Sequence, residues 1–201
     1  MMADPVKFYF DFSSPYSYFA SFKIDETCEA LGRSVDWHPF LLGVAFKSTG
    51  SAPLTQVPLK GDYCANDWQR LARYMNVPWV MPDPFPVPTQ AAGRAFYWLH
   101  DRDPDLAKRF AREVFMTYFG RGQNITSPDA IAGIAEPLGI EHGDLAAALA
   151  DERVKQRLKD ETQLALDAGV FGAPYFIVDG EGFWGSDRMW MIRRWIERGG
   201  W

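Results

Sequence analysis

The sequence predicts a mixed α/β fold in which a β-α-β opening and a β-β-α closing flank a long block of helices. Strand-like segments, alternating or rich in β-branched and aromatic residues, occur only near the two ends of the chain. Between them the apolar residues recur at helical spacing, interrupted by proline and glycine. Of the 201 residues, 47% are hydrophobic and 23% charged, enough apolar material for one large core and too much for a disordered chain.

Each element follows from its own residues. VKFYFDF, residues 6–12, alternates and is β-branched or aromatic, which predicts a strand. Pro15 opens a helical pattern that runs to residue 31, where Gly32 ends it. SVDWHPF, residues 34–40, reads as a second strand, so the opening forms a βαβ unit with a right-handed crossover. Residues 41–60 are rich in Gly, Ser and Pro and are expected to be a loop. A helix is predicted over residues 61–75, and the prolines of PWVMPDPFPVP forbid its continuation. Residues 89–100 and 104–119 read as two more helices. Ser127 and Pro128 are a cap and a first helical residue, with Pro137 ending or kinking that helix. Residues 142–169 give one short and one long helix, closed by Gly169. APYFIVD (residues 173–179), a GEG turn and FWG form the closing strands, and the last helix runs over residues 187–198. That order matches a thioredoxin-like domain, residues 1–60 and 166–201, interrupted by an all-helical insertion over residues 61–165.

Composition narrows the function. The net charge is −5 with both signs mixed along the chain, so there is no basic footprint for nucleic acid or an anionic membrane. MMADPVKFYF lacks the charged-then-apolar pattern of a leader, and a cytoplasmic protein is the expectation. Cys28 and Cys64 are far apart with no CxxC, and the three histidines have no metal-like spacing, so neither a dithiol centre nor a metal site is expected. Both cysteines read as buried or half-buried helix residues.

The chemistry-bearing stretch is FDFSSPYSYF, residues 10–19. Ser13 or Ser14 before Pro15 is a normal way to cap a helix, with Ser13 the expected cap or neighbour. The same geometry places a hydroxyl where it can donate to an anion, and a thiolate is an anion whose formation is limited by its pKa. FGAPYF, residues 171–176, puts Pro174 at the start of a strand, where a cis bond would expose the backbone of Ala173 for pairing with a peptide-like ligand. FWGSDR supplies Ser186 as a helix cap and carboxylate binder and Asp187 for an ammonium. A thiol, a backbone to pair with and a head group bearing both charges describe glutathione.

DFSSPYSY, GSAP…VPLKGDY, NIT, FGAPYF and FWGSDR, in that order, resemble the glutathione transferase kappa and 2-hydroxychromene-2-carboxylate isomerase family. The resemblance covers essentially the whole chain. It implies a thioredoxin-like fold with a disulfide-oxidoreductase-type insertion, glutathione as cofactor, a small aromatic carboxylate or electrophile as second substrate, and a homodimer. It also implies roles. Ser14 matches the serine that holds the glutathione sulfur as thiolate, and Ala173 with Pro174 matches the pair that meets its cysteinyl backbone. Ser186 and Asp187 match the binders of the γ-glutamyl head, and Lys60 matches a lysine reaching the glycyl carboxylate. Ser51 stands where the kappa transferases carry an asparagine, and Ala173 where a bulkier aliphatic is usual. Lys47 and Trp184 are candidates for the second substrate's carboxylate and aromatic ring.

The expected activity is a glutathione-dependent isomerisation of 2-hydroxychromene-2-carboxylate and trans-o-hydroxybenzylidenepyruvate, as in aromatic hydrocarbon breakdown. FWG, with Trp before Gly, looks like the isomerases, whereas residues 48–63 look more like the kappa pattern. A kappa-type transferase is the alternative, and a binding protein of disulfide-oxidoreductase type without redox activity is a third.

Overall fold

The computed structural model describes residues 4–201. Residues 1–3, where the stretch read for a leader begins, lie outside the described residues. Four strands form one sheet: β1 (Val6–Phe10), β2 (Val35–Pro39), β3 (Tyr175–Val178) and β4 (Glu181–Trp184), in the order β2-β1-β3-β4. β1 and β2 are parallel, whereas β3 is antiparallel to both β1 and β4. Between β1 and β2 lie α1 (Pro15–Ser21) and α2 (Ile24–Glu29). Between β2 and β3 run α3 (Leu42–Thr49), α4 (Lys60–Met75), α5 (Gln90–His100), α6 (Pro104–Phe115), α7 (Pro128–Ala135), α8 (His142–Ala150) and α9 (Glu152–Asp167). After β4 the chain closes with α10 (Met189–Arg198). No helix among the described residues is long and apolar enough to cross a membrane.

Period-two alternation divides the sheet into two faces. Phe8, Trp37, Phe176 and Phe183 point to one, where Phe8 stacks on Phe176 at 5.2 Å and α1, α2 and α10 complete the core. Tyr9, Tyr175 and Ile177 point to the other, where they meet Ala45 of α3 and Ala165 of α9. The helices between α4 and α8 pack mainly on one another around Phe96, Phe110, Val114 and Ile131.

Several boundaries differ from expectation, each for a local reason. β1 stops at Phe10, because the Ser14 amide donates to the Asp11 carbonyl and closes a turn. The helix expected over residues 15–31 breaks at Phe22 and Lys23. Buried Tyr18 and Phe19 precede buried Ile24 and Cys28, and the break turns both pairs inward where one continuous helix could not. The expected loop at residues 41–60 contains α3, ended by Gly50 in the left-handed region (φ 68°). The helix from Pro104 ends at Phe115 and continues as a π-helical turn, Met116–Gly120. Asp179 and Gly180, both at positive φ, make the β3–β4 turn, so Glu181 of the expected GEG turn is already strand. The division expected between residues 165 and 166 falls inside α9.

Candidate functional site

The C-terminal end of β1 and the start of β3 meet at one point. Ser14 is buried and caps α1: its Oγ accepts from the Ser17 amide at 3.2 Å. The same hydroxyl donates to the carbonyl of Ala173 at 3.0 Å. The Ala173–Pro174 bond is cis, and the Pro174 carbonyl accepts from the Gly185 amide at 3.0 Å. Ser14, Ala173, Pro174 and the turn that begins with Ser186 are thus joined by a short chain of hydrogen bonds, and α1 packs on that turn.

The cap is therefore Ser14 itself, and Ser13 has another partner. Its hydroxyl accepts from the Val87 amide at 3.0 Å, which ties the turn to the segment between α4 and α5. Pro15 has no N–H, while the Ser17 and Tyr18 amides go to the Ser14 side chain and carbonyl. Among the described residues the Tyr16 amide has no such partner, so the first turn offers a free donor beside the Ser14 hydroxyl.

Ser186 departs from its expected part as a helix cap. It opens a 3-10 turn, Ser186–Arg188, and α10 begins only at Met189. Asp187 is exposed and paired with Arg188 at 2.6 Å. Gly185 makes this arrangement possible: it sits at φ 111°, and a Cβ there would meet the Asp187 carboxylate.

Lys60 begins α4. It lies one turn before Cys64 on the stripe that continues through Asp67 and Trp68, and this stripe meets α1. Tyr16 Oη donates to Asp67 Oδ2 at 2.9 Å and lies 3.9 Å from Cys64 Sγ, so α1 meets the Cys64–Trp68 turn and exposed Lys60 lies one turn before it. Burial, with the Asp67 carboxylate, pushes the Tyr16 phenol well above its ordinary range. Lys47 lies in the last turn of α3 and Ser51 just beyond it, both exposed; Thr49 Oγ1 donates to the Ala45 carbonyl at 2.9 Å and lies 2.9 Å from the Ser51 hydroxyl. Among the described residues neither Lys47 nor Lys60 is in an ion pair. No described contact joins Lys47, Ser51 or Lys60 to Ser14.

Trp184, over half exposed, packs against Phe171 with ring centroids 5.1 Å apart and covers Gly172, where any Cβ would overlap the indole. Phe171 also meets Tyr175 at 5.4 Å, so an aromatic ledge runs beside the Ala173–Pro174 bond. Phe171 was absent from the sequence-based candidates; the signal for it was its place two residues before Ala173.

Dithiol chemistry has no support in these positions. Ser17 follows Ser14 at the spacing of a CxxC pair, and both are hydroxyls. Cys28 and Cys64 are buried and free, and burial pushes the Cys28 thiol up to about 12. No group of three or more His, Cys, Asp or Glu side chains able to hold a metal occurs among the described residues.

A family model described as the DSBA-like thioredoxin domain matches residues 5–197. The chain is 28% identical over 200 residues to a Caenorhabditis elegans protein named glutathione S-transferase kappa 1, covering 93% of this chain and 88% of that one. It is 27% identical over 191 residues to the 2-hydroxychromene-2-carboxylate isomerase of Sphingobium xenophagum, covering 94% and 95%. Among solved structures, a selenomethionine form of 2-hydroxychromene-2-carboxylate isomerase superposes with a TM-score of 0.87 at 26% identity, over 96% of this chain and 94% of that one.

Proposed function

Because the chain belongs to the DSBA-like thioredoxin domain family, with Ser14 and Ser17 at the CxxC spacing, we propose that it activates a borrowed thiol, that of glutathione, to isomerise 2-hydroxychromene-2-carboxylate. The observation that carries this reading is the Ser14 hydroxyl, capping α1 and reaching the Ala173 carbonyl beside a cis proline. The donor set fits a thiolate bound through a peptide-like backbone. Ser14 O–H and the Tyr16 amide can both point at sulfur, and the Ala173 amide, without a partner among the described residues, can pair with a cysteinyl carbonyl.

Bound glutathione would supply a thiolate that adds to the conjugated double bond of the ring-opened substrate, leaves it single and free to rotate, and is expelled again with no net redox change. The chain's residues hold and orient. Ser14 would turn its hydroxyl proton from the Ala173 carbonyl toward the sulfur when the ligand's own amide takes up that carbonyl. This exchange couples ligand binding to thiol activation. Ser186 and the Gly185 turn would receive the γ-glutamyl head, with Asp187 leaving Arg188 for the ammonium. Lys60 would meet the glycyl carboxylate, with Ser51 nearby in place of an amide side chain. Lys47 would attract the substrate carboxylate, and Trp184 with Phe171 would wall its ring. Addition and elimination of the thiolate pass through one common adduct in either direction, so the reaction would be reversible.

The likeness of the fold to the isomerase structure over nearly all of both chains favours isomerisation. A kappa-type transferase is the second reading, favoured by a relative of that name at 28% identity, against 27% for the isomerase. Ultraviolet absorbance distinguishes the two substrate forms and tests the proposal directly. Interconversion should require glutathione and fail in Ser14→Ala; equal rates without glutathione would overturn it. Faster conjugation of a halonitroarene than isomerisation would favour the transferase. A cytoplasmic homodimer completes the proposal, to be checked by fractionation and by light scattering.

A further inference from the structure

Asp11 lies three residues before Ser14, just after β1, and is 5% exposed. Three donors from three parts of the chain converge on it. Oδ1 accepts from the Ser13 amide at 2.7 Å, inside the serine turn. Oδ2 accepts from the Leu42 amide at 2.9 Å, the first helical residue of α3. Oδ2 also receives the Thr89 hydroxyl at 3.3 Å, immediately before α5. Burial raises the carboxyl above its ordinary value and these three partners lower it, the pattern of a buried group tightly held rather than solvated. The Asp11 carbonyl closes the same turn by accepting from the Ser14 amide at 2.9 Å.

We propose that Asp11 is a positioning residue that clamps the Ser14 turn, the start of α3 and Thr89 to one another, so that the Ser14 hydroxyl and the helix carrying Lys47 keep a fixed separation. The inference rests on the reading of Ser14 given above. α3 needs such an anchor: Ala45 is its only buried residue, and Leu41, its cap, contributes no side-chain bond. The serine turn needs it because its register decides whether Ser14 Oγ meets Ala173. A carboxylate suits the place and its amide does not. Two backbone N–H groups approach opposite oxygens, so an amide must turn its own NH2 against one of them.

The test compares Asp11→Asn with the unaltered chain in two ways. Backbone amide exchange reads the clamp without any ligand. The Ser13 or Leu42 amide should exchange about tenfold faster or more in the variant, as one buried hydrogen bond is lost, while Phe8 in the central strand keeps its protection. The thiolate absorbance of added glutathione, followed against pH, reads the consequence. Removing a buried negative charge would by itself lower the thiol's pKa, whereas loss of positioning raises it. A rise with faster exchange supports the clamp; unchanged exchange, or a fall in the thiol's pKa, overturns it. If the unaltered chain itself shows no thiolate band, the glutathione reading fails, and amide exchange still decides the clamp. Should Asp11→Asn not fold, Thr89→Val removes one donor and leaves both backbone bonds. It should speed exchange at Leu42 in the same direction to a smaller degree, and no change there overturns the proposal.

Discussion

The Ser14 hydroxyl hydrogen-bonds the Ala173 carbonyl at 3.0 Å across 159 residues of sequence. One oxygen thereby serves a helix cap and the segment leading into β3 at once, so substitution at Ser14 has two separable effects. Ser14→Ala should reduce turnover about 100- to 1,000-fold, as for loss of one donor to a developing anion, and destabilise the fold by about 1 kcal/mol. Ser14→Gly should lose the same activity at a cost of only about a few tenths of a kcal/mol, since glycine is tolerated at a cap. Urea unfolding alongside turnover separates the two. Activity surviving in the glycine variant would remove the hydroxyl from the chemistry.

Gly185 has no tolerated replacement. At φ 111°, with Asp187 crowding its missing Cβ, Gly185→Ala should cost about 1–3 kcal/mol. It should also weaken glutathione binding, measured by calorimetry, because the Ser186–Arg188 turn would shift. A variant with both quantities unchanged would detach this turn from the site.

Lys47 offers a charge test. Lys47→Ala should raise KM about tenfold for a carboxylate substrate, the loss of one charge-assisted contact, and leave an uncharged electrophile unaffected. Equal effects on both substrates would show that Lys47 acts on the fold.

Stability should depend on pH through the contact between β2 and the helices. His38 Nε2 lies 3.0 Å from Asp36, out of line for a hydrogen bond but close enough for an ion pair, and its Nδ1 lies 3.7 Å from Glu161. Burial works to lower the His38 pKa, but the Asp36 and Glu161 carboxylates raise it on balance. A raised folded value stabilises fully below the ordinary histidine value near about 6.5 and is lost as pH rises through the folded value. The His38 contact holds Glu161 below its ordinary value. Asp36 is also lowered: burial opposes this, and His100 and His38 outweigh it. The carboxylates' contribution is therefore present above about 4.5 and lost as pH falls through their folded values. The unfolding free energy from urea titration should fall on both sides, by no more than about 1 kcal/mol on the alkaline side, since Asp36 is more than a third exposed. His38→Gln should flatten the alkaline limb; an unchanged limb would place the titration elsewhere.

Strands and long helices were legible because their patterns are periodic: Phe8 and Phe10 alternate with Lys7 and Tyr9, and α4 to α6 carry clear apolar stripes. α3 was not, because it buries only Ala45 and mixes Gly43 and Ser48 into its surface, so no stripe distinguishes it from a loop. Gly50 as a left-handed stop was the available sign. The meeting of Ser14 with Ala173 was legible only through the order of five motifs, since periodicity says nothing about contacts between distant segments. Nothing in the sequence singles out Asp11 within the strand predicted over residues 6–12, because its partners Leu42 and Thr89 stand 31 and 78 positions away.

The pairing of β1 with β3 has a further consequence for how such a protein comes to exist. Lys7, Phe8 and Tyr9 find Ile177, Phe176 and Tyr175 only after the whole helical block has been synthesised. A nascent chain carrying the serine turn therefore has no Ala173 to meet, and on the proposed reading the thiol site would be completed late in assembly. Loop-closure entropy grows so slowly that doubling the intervening block would cost only about 0.6 kcal/mol. The loops joining the intervening helices can thus lengthen at little entropic cost, while the helices that pack on Phe10 and Phe12 and the two ends of the chain keep their places.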